Sequence, residues 1–139
     1  MIFFRCDGGA VVGLGHIVRS CIFGKTFYDL TKKQPSFITF SSPEIISKYI
    51  NKDYFNIINS NSRLGTDQDT EFVTNVLEKD SILIVDSRFV RQKDIDLWAN
   101  RSFLIGIDDD FNNLKWPVKL DYNLYSEKNS LNDLIGPEF

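Results

Sequence analysis

The chain is 139 residues long, a length that fits one domain and buries roughly two-thirds of its unfolded surface. Twelve Phe, five Tyr and two Trp supply apolar area for a core, while 16 basic and 19 acidic residues are interleaved to a net charge of −3, with no basic stripe for nucleic acid. No run of about twenty apolar residues is present to make a membrane span, and the opening Met1-Ile2-Phe3-Phe4-Arg5 is too short for a signal-peptide core, so a cytoplasmic location is expected.

Residues 2–6 read as a first strand, apolar on both faces except at its end, as a central strand covered on both sides would be. Four glycines follow within eight residues, Gly8, Gly9, Gly13 and Gly15, and a backbone so free of Cβ atoms turns sharply and lets a ligand come close. A helix is expected over 15–31, with Ile17, Cys21, Phe27 and Leu30 among its apolar positions and Lys25 and Lys32 toward water. His16, the chain's single histidine, sits in its first turn, and Arg19 falls one turn after Gly15, placed either to point back at the loop or to pair on the surface.

Beyond that helix, residues 36–40 form a second strand, and Ser42-Pro43-Glu44 supplies an N-cap, a first-position proline and an early acidic residue for a helix to about residue 50. A third strand over 55–58, a polar loop over 59–65 and a helix over 67–78 come next. Residues 82–85 are the clearest buried strand and end on Asp86-Ser87. A helix over 92–99 puts Ile95 and Trp98 on one face, a strand over 103–107 ends on Asp108-Asp109-Asp110, and a last strand is expected over 122–125 before a polar tail. The alternation predicts an α/β fold in one domain, a Rossmann-like parallel sheet with helices on both faces.

In such sheets ligands bind beyond the strand C-termini, and three of those ends carry Asp7, Asp86 and Asp108, converging on the edge that holds His16. A helix starting near Gly15 aims its N–H groups and positive dipole end at the loop, which favours an anionic group and the neutral imidazole a general base needs. The spacing is not that of the two best-known phosphate loops: no Gly-Lys-Ser/Thr ending follows Gly8, and no third glycine follows Gly13-Leu14-Gly15 at the dinucleotide position. Cys6 and Cys21, without a Cys-x-x-Cys pattern, read as two reduced, buried thiols, and the chain has too few Cys and His for structural zinc. The Asp-x-Asp in 108–110 is chemically suited to a hard cation, though such loops are commonly caps or solvated turns. Asp86 closing an apolar strand also brings to mind the phosphoacceptor of receiver domains, but the acidic pair and the lysine that function needs at strands one and five are missing.

Phe4-Arg5-Cys6-Asp7 followed by Gly13-Leu14-Gly15-His16-Ile17-Val18-Arg19 resembles the opening of the nucleotide-sugar hydrolases of pseudaminic acid biosynthesis and their spore-coat polysaccharide relatives. Those proteins begin with a Phe-Arg-x-Asp strand end and a Gly-x-Gly-His-x-x-Arg helix start, and Ile107-Asp108-Asp109-Asp110, with Asp121 and Asn123, is similar to their acidic loop and following strand. The resemblance implies the N-terminal domain of a two-domain GT-B fold, with Leu134 to Phe139 leading toward a C-terminal nucleotide-binding domain outside this chain. It further implies a UDP-2,4-diacetamido-2,4,6-trideoxy-β-L-altropyranose hydrolase in which His16 is the base and Asp7, Gly13, Gly15, Arg19, Asp86 and Asp108 face the nucleotide sugar, with no metal and no cofactor. The alternatives are the acceptor-binding domain of a GT-B glycosyltransferase and a non-catalytic sugar- or nucleotide-binding domain.

Overall fold

The computed structural model describes residues 1–107, 113–121 and 133–135. Its strands are β1 (Ile2–Arg5), β2 (Ser36–Thr39), β3 (Asn56–Asn59), β4 (Ser81–Asp86), β5 (Ser102–Ile107), β6 (Val118–Asp121) and β7 (Asp133–Ile135). The helices are α1 (Gly15–Thr31), α2 (Pro43–Tyr49), α3 (Asp67–Val76) and α4 (Gln92–Ala99). All strands pair in parallel in the order β3-β2-β1-β4-β5-β6-β7, so the sheet runs outward in both directions from β1 and β4. The first six follow the doubly wound dinucleotide-fold order, and the chain has the Rossmann-like α/β architecture its strand–helix alternation predicts.

Alternate residues of the central strands enter two separate cores, one on each face of the sheet. Phe3, Ile38, Leu83, Val85 and Leu104 meet Val73 of α3 and Ile95 and Trp98 of α4. Phe4, Cys6 and Phe37 turn the other way and meet Ile17 of α1, Ile46 of α2 and Phe55. Phe4 stacks on Phe37 at 5.9 Å between ring centroids, and Phe55 meets the Phe37 edge at 5.5 Å. Side chains of this size contribute about 2 kcal/mol each when fully buried, so both faces are held firmly to the strands that carry the site.

Local signals explain the helix starts. Ser42 caps α2 and accepts from the Ile45 N–H, with Pro43 in the first turn, and Thr66 caps α3 by accepting from the Asp69 N–H at 3.2 Å. Helix α1 has no side-chain cap, its N-cap being Leu14, and its buried positions are Ile17, Ser20 and Gly24. Leu30, expected on the apolar face of α1, is instead 81% exposed, because its position on the last turn looks away from the sheet. Cys21, expected to be buried, is half-buried, its thiol donating to the Tyr49 carbonyl oxygen at 3.4 Å.

Beyond β5 the described strands differ from expectation. A sixth strand forms at Val118–Asp121, ahead of the one expected, as Val118 and Leu120 alternate with Lys119 and Asp121 in register with β5. A seventh forms at Asp133–Ile135, where a polar tail was expected. Residues 122–125, Asn123 and the Asp108-Asp109-Asp110 run lie outside the described residues. Among the described residues no helix is long and apolar enough to cross a membrane.

Candidate functional site

The strand order reverses between β1 and β4, and in open α/β sheets the crevice beyond the strand C-termini at that point is where ligands bind. β1 leads into the glycine loop and α1, while β4 ends on Asp86. Across this crevice His16 Nδ1 lies 2.7 Å from Asp86 Oδ1. Asp86 is fully buried, and Arg19 holds it from the next turn of α1, donating through Nε to Oδ2 at 2.8 Å and through Nη2 to Oδ1 at 2.6 Å. Ser20 adds a long contact to Oδ2 at 3.5 Å.

Burying a carboxylate costs several kcal/mol unless it is paired and hydrogen-bonded, and the bidentate guanidinium of Arg19 provides that compensation. The same arrangement fixes the imidazole. A carboxylate only accepts, so Nδ1 carries the hydrogen toward Asp86, and in the neutral ring the lone pair lies on Nε2. Arg19 Nη2, 3.3 Å from Nδ1, is itself a donor and does not compete for that hydrogen. The result is a buried carboxylate that orients an imidazole through Nδ1.

The glycine loop is closed by a pair of backbone bonds between Gly9 and Gly13, at 3.0 and 2.8 Å. Gly13 has φ +76°, a conformation that L side chains rarely adopt, whereas Gly15 begins α1 with open space around its Cα. A cavity of about 400 Å³ runs along residues 8–12 and is bounded by Asp7, Phe40, Ile45 and Arg63.

Asp7 belongs to a different cluster. Arg5, fully buried, is ion-paired to Asp7 through Nη1 and to Asp69 through Nη2 at 2.8 Å, with Nε donating to both Asp69 oxygens at 3.1 and 3.2 Å. Asp7 Oδ1 also accepts from the Phe40 N–H at 2.8 Å and Oδ2 from the Leu64 N–H at 3.0 Å. Ser60 donates to Asp69 at 2.9 Å. Burial works against the Asp7 carboxylate, but Arg5 and those two N–H groups outweigh it and hold the carboxyl below its ordinary range. For Asp69 burial prevails over Arg5, and its carboxyl is raised. Asp7 thus ties the β2–α2 and β3–α3 loops to the end of β1.

Of the positions singled out in the sequence, His16, Arg19 and Asp86 come together, Gly13 and Gly15 lie at the adjoining loop, Asp7 stands in the Arg5 cluster, and Asp108 lies outside the described residues. Asp69 went unrecognised, because only the fold brings it to Arg5, 64 positions away. Among the described residues no group of three His, Cys, Asp or Glu side chains is placed to hold a metal ion. No family model, curated protein or solved structure matches the chain.

Proposed function

We propose that the chain is the base-bearing N-terminal domain of a nucleotide-sugar hydrolase similar to the UDP-2,4-diacetamido-2,4,6-trideoxy-β-L-altropyranose hydrolases. The observation that carries this reading is the 2.7 Å contact between His16 Nδ1 and the buried Asp86 at the point where the sheet order reverses. His16 Nε2 takes a proton from water while the water oxygen bonds to the anomeric carbon. The bond from that carbon to the diphosphate oxygen breaks, its electron pair leaves with UDP, and the configuration inverts. Asp86 stabilises the imidazolium so formed, and the uncapped first turn of α1 offers N–H groups to the diphosphate or sugar oxygens. Asp7 acts through the loops that it holds.

In this reading a nucleotide-binding domain closes over the crevice, excludes water other than the nucleophile and completes the site, so the isolated chain turns over weakly or not at all. The unpaired Cys6 and Cys21 fit the reducing cytoplasm in which we place the enzyme. Incubating the complete enzyme with the UDP-sugar alone tests the reaction. Release of free sugar and UDP without an acceptor supports hydrolysis, whereas release that waits for an acceptor hydroxyl assigns the same imidazole to glycosyl transfer. Near-normal turnover by His16→Ala would remove the base assignment altogether.

A further inference from the structure

The end of β2 carries a second feature that the His16–Asp86 pair does not use. Ser36–Thr39 are buried throughout, yet the next residue, Phe40, leaves 45% of its surface exposed. Phe40 lines two cavities at once: the one along the glycine loop, and a larger groove of about 820 Å³ between α2 and the edge strand β3. Hydrogen bonds hold the Phe40 N–H and the hydroxyls of its two neighbours. Asp7 accepts the Phe40 N–H at 2.8 Å, Ser41 Oγ accepts the Gly8 N–H at 2.8 Å, and the Ser41 and Thr39 hydroxyls share a 2.7 Å bond. An apolar ring left in water on a fixed backbone is a preformed platform rather than a mobile surface residue.

The remainder of the groove identifies what such a platform would hold. Its floor includes the buried Phe55 and Ile46, and its rim carries Ser47, Asn56 and Asn59, side chains that both donate and accept hydrogen bonds. Lys52 is the charged residue in this lining. A phosphate-bearing ligand calls for clustered cations or a bidentate arginine, which the groove lacks. A pyranose ring presents C–H groups on one face and hydroxyls around its edge, and it matches an aromatic platform with a rim of hydroxyls and amides. We propose that Phe40 is the stacking platform of a saccharide-binding groove distinct from the His16–Asp86 pair. This assignment stands whether or not His16 serves as a hydrolytic base.

The test is an amide-resolved NMR titration of the ¹⁵N-labelled chain with N-acetylglucosamine and its β1,4-linked disaccharide. Shifts are expected at residues 39–41, Ser47, Asn56 and Asn59, with tighter binding of the disaccharide. Phe40→Ala weakens binding by about tenfold, the loss of one stacking contact, while Phe40→Tyr retains it and His16→Ala leaves it unchanged. If Phe40→Ala disturbs the spectrum as a whole, Phe40→Leu keeps the apolar bulk without the aromatic face and is expected to show the same loss. The assignment is overturned if neither sugar shifts these amides, if the Phe40 variants bind as the parent does, or if inorganic phosphate or an extended peptide shifts them in place of both sugars.

Discussion

His16 and Asp86 are 70 positions apart in the chain, and their side chains meet at 2.7 Å because β4 ends on Asp86 beside β1, which leads through the glycine loop into the first turn of α1. An amide at position 86 would present both a donor and an acceptor to Nδ1, so the imidazole would lose the tautomer that leaves Nε2 basic. Under the proposed hydrolysis, Asp86→Asn is therefore expected to lower kcat by about 100- to 10,000-fold with a smaller change in KM. It also removes the Asp86 carboxylate from Arg19, at a cost of about 2 kcal/mol in stability for a partly exposed guanidinium. Steady-state kinetics and urea denaturation on the same variant separate the two effects. A kcat within threefold of the parent, roughly 0.7 kcal/mol, would show that Asp86 does not orient the base.

The Arg5 cluster predicts a pH-dependent cost. Asp7 has its carboxyl depressed in the fold, so it adds stability above the unfolded-chain value, near 4, and that contribution is lost as pH falls through the folded value. Asp69 has the opposite sign: its raised carboxyl costs stability at neutral pH, and acidification relieves that cost. Asp7→Asn is expected to lose about 3 kcal/mol near pH 7, as one partner leaves a buried pair, with the gap to the parent narrowing below about pH 4. Urea midpoints measured near neutrality and near pH 3 check this. A gap that stays constant would mean the loss is one of packing rather than charge.

What the sequence revealed and what it hid follow from the range of the interactions. Helices α1 and α4 begin and end where the apolar spacing and the glycine boundary place them, and β4 stands out because it is an unbroken apolar run. The meeting of Asp86 with His16 was legible from topology, since parallel strands send their C-terminal residues to one edge. Asp7, at the same edge, turned to Arg5, two residues back on its own chain, because a buried guanidinium requires carboxylates. The β6 strand escaped notice because two apolar residues alternating with two charged ones over four positions make a weak signal, and only the register with Ile105 and Ile107 fixes it.

The two cysteines are predicted to be inert in the folded chain. Burial pushes the Cys6 thiol well above its ordinary value, and the negative charge of Asp86 adds to that; burial alone takes Cys21 to about 11. Near pH 8 roughly one Cys21 in a thousand is then a thiolate, and only that form reacts. Iodoacetamide should modify the native chain at least tenfold more slowly than the urea-unfolded chain, with Cys21 reacting before Cys6. Mass spectrometry of the labelled sites reads the order. Rapid labelling of Cys6 under native conditions would show that the core beneath β1 opens easily.

Gly65, Gly13 and Gly15 differ in what a side chain would meet there. Gly65 has φ +89°, and a Cβ there would run into the Phe89 carbonyl oxygen, so Gly65→Ala is expected to cost about 3 kcal/mol. Gly13 has φ +76° with nothing nearby, leaving conformational strain alone, about 1 kcal/mol for alanine. Gly15 has ordinary helical geometry and open space, and Gly15→Ala should be neutral or gain up to about 1 kcal/mol from helix propensity. That makes Gly15→Ala a clean probe of the crevice, since a methyl group there changes what can approach the first turn of α1 without disturbing the fold. Thermal unfolding unchanged or improved, together with a KM for the proposed UDP-sugar substrate raised at least tenfold, would show that the substrate passes against Gly15. Unchanged stability with unchanged KM would place the substrate elsewhere along the loop.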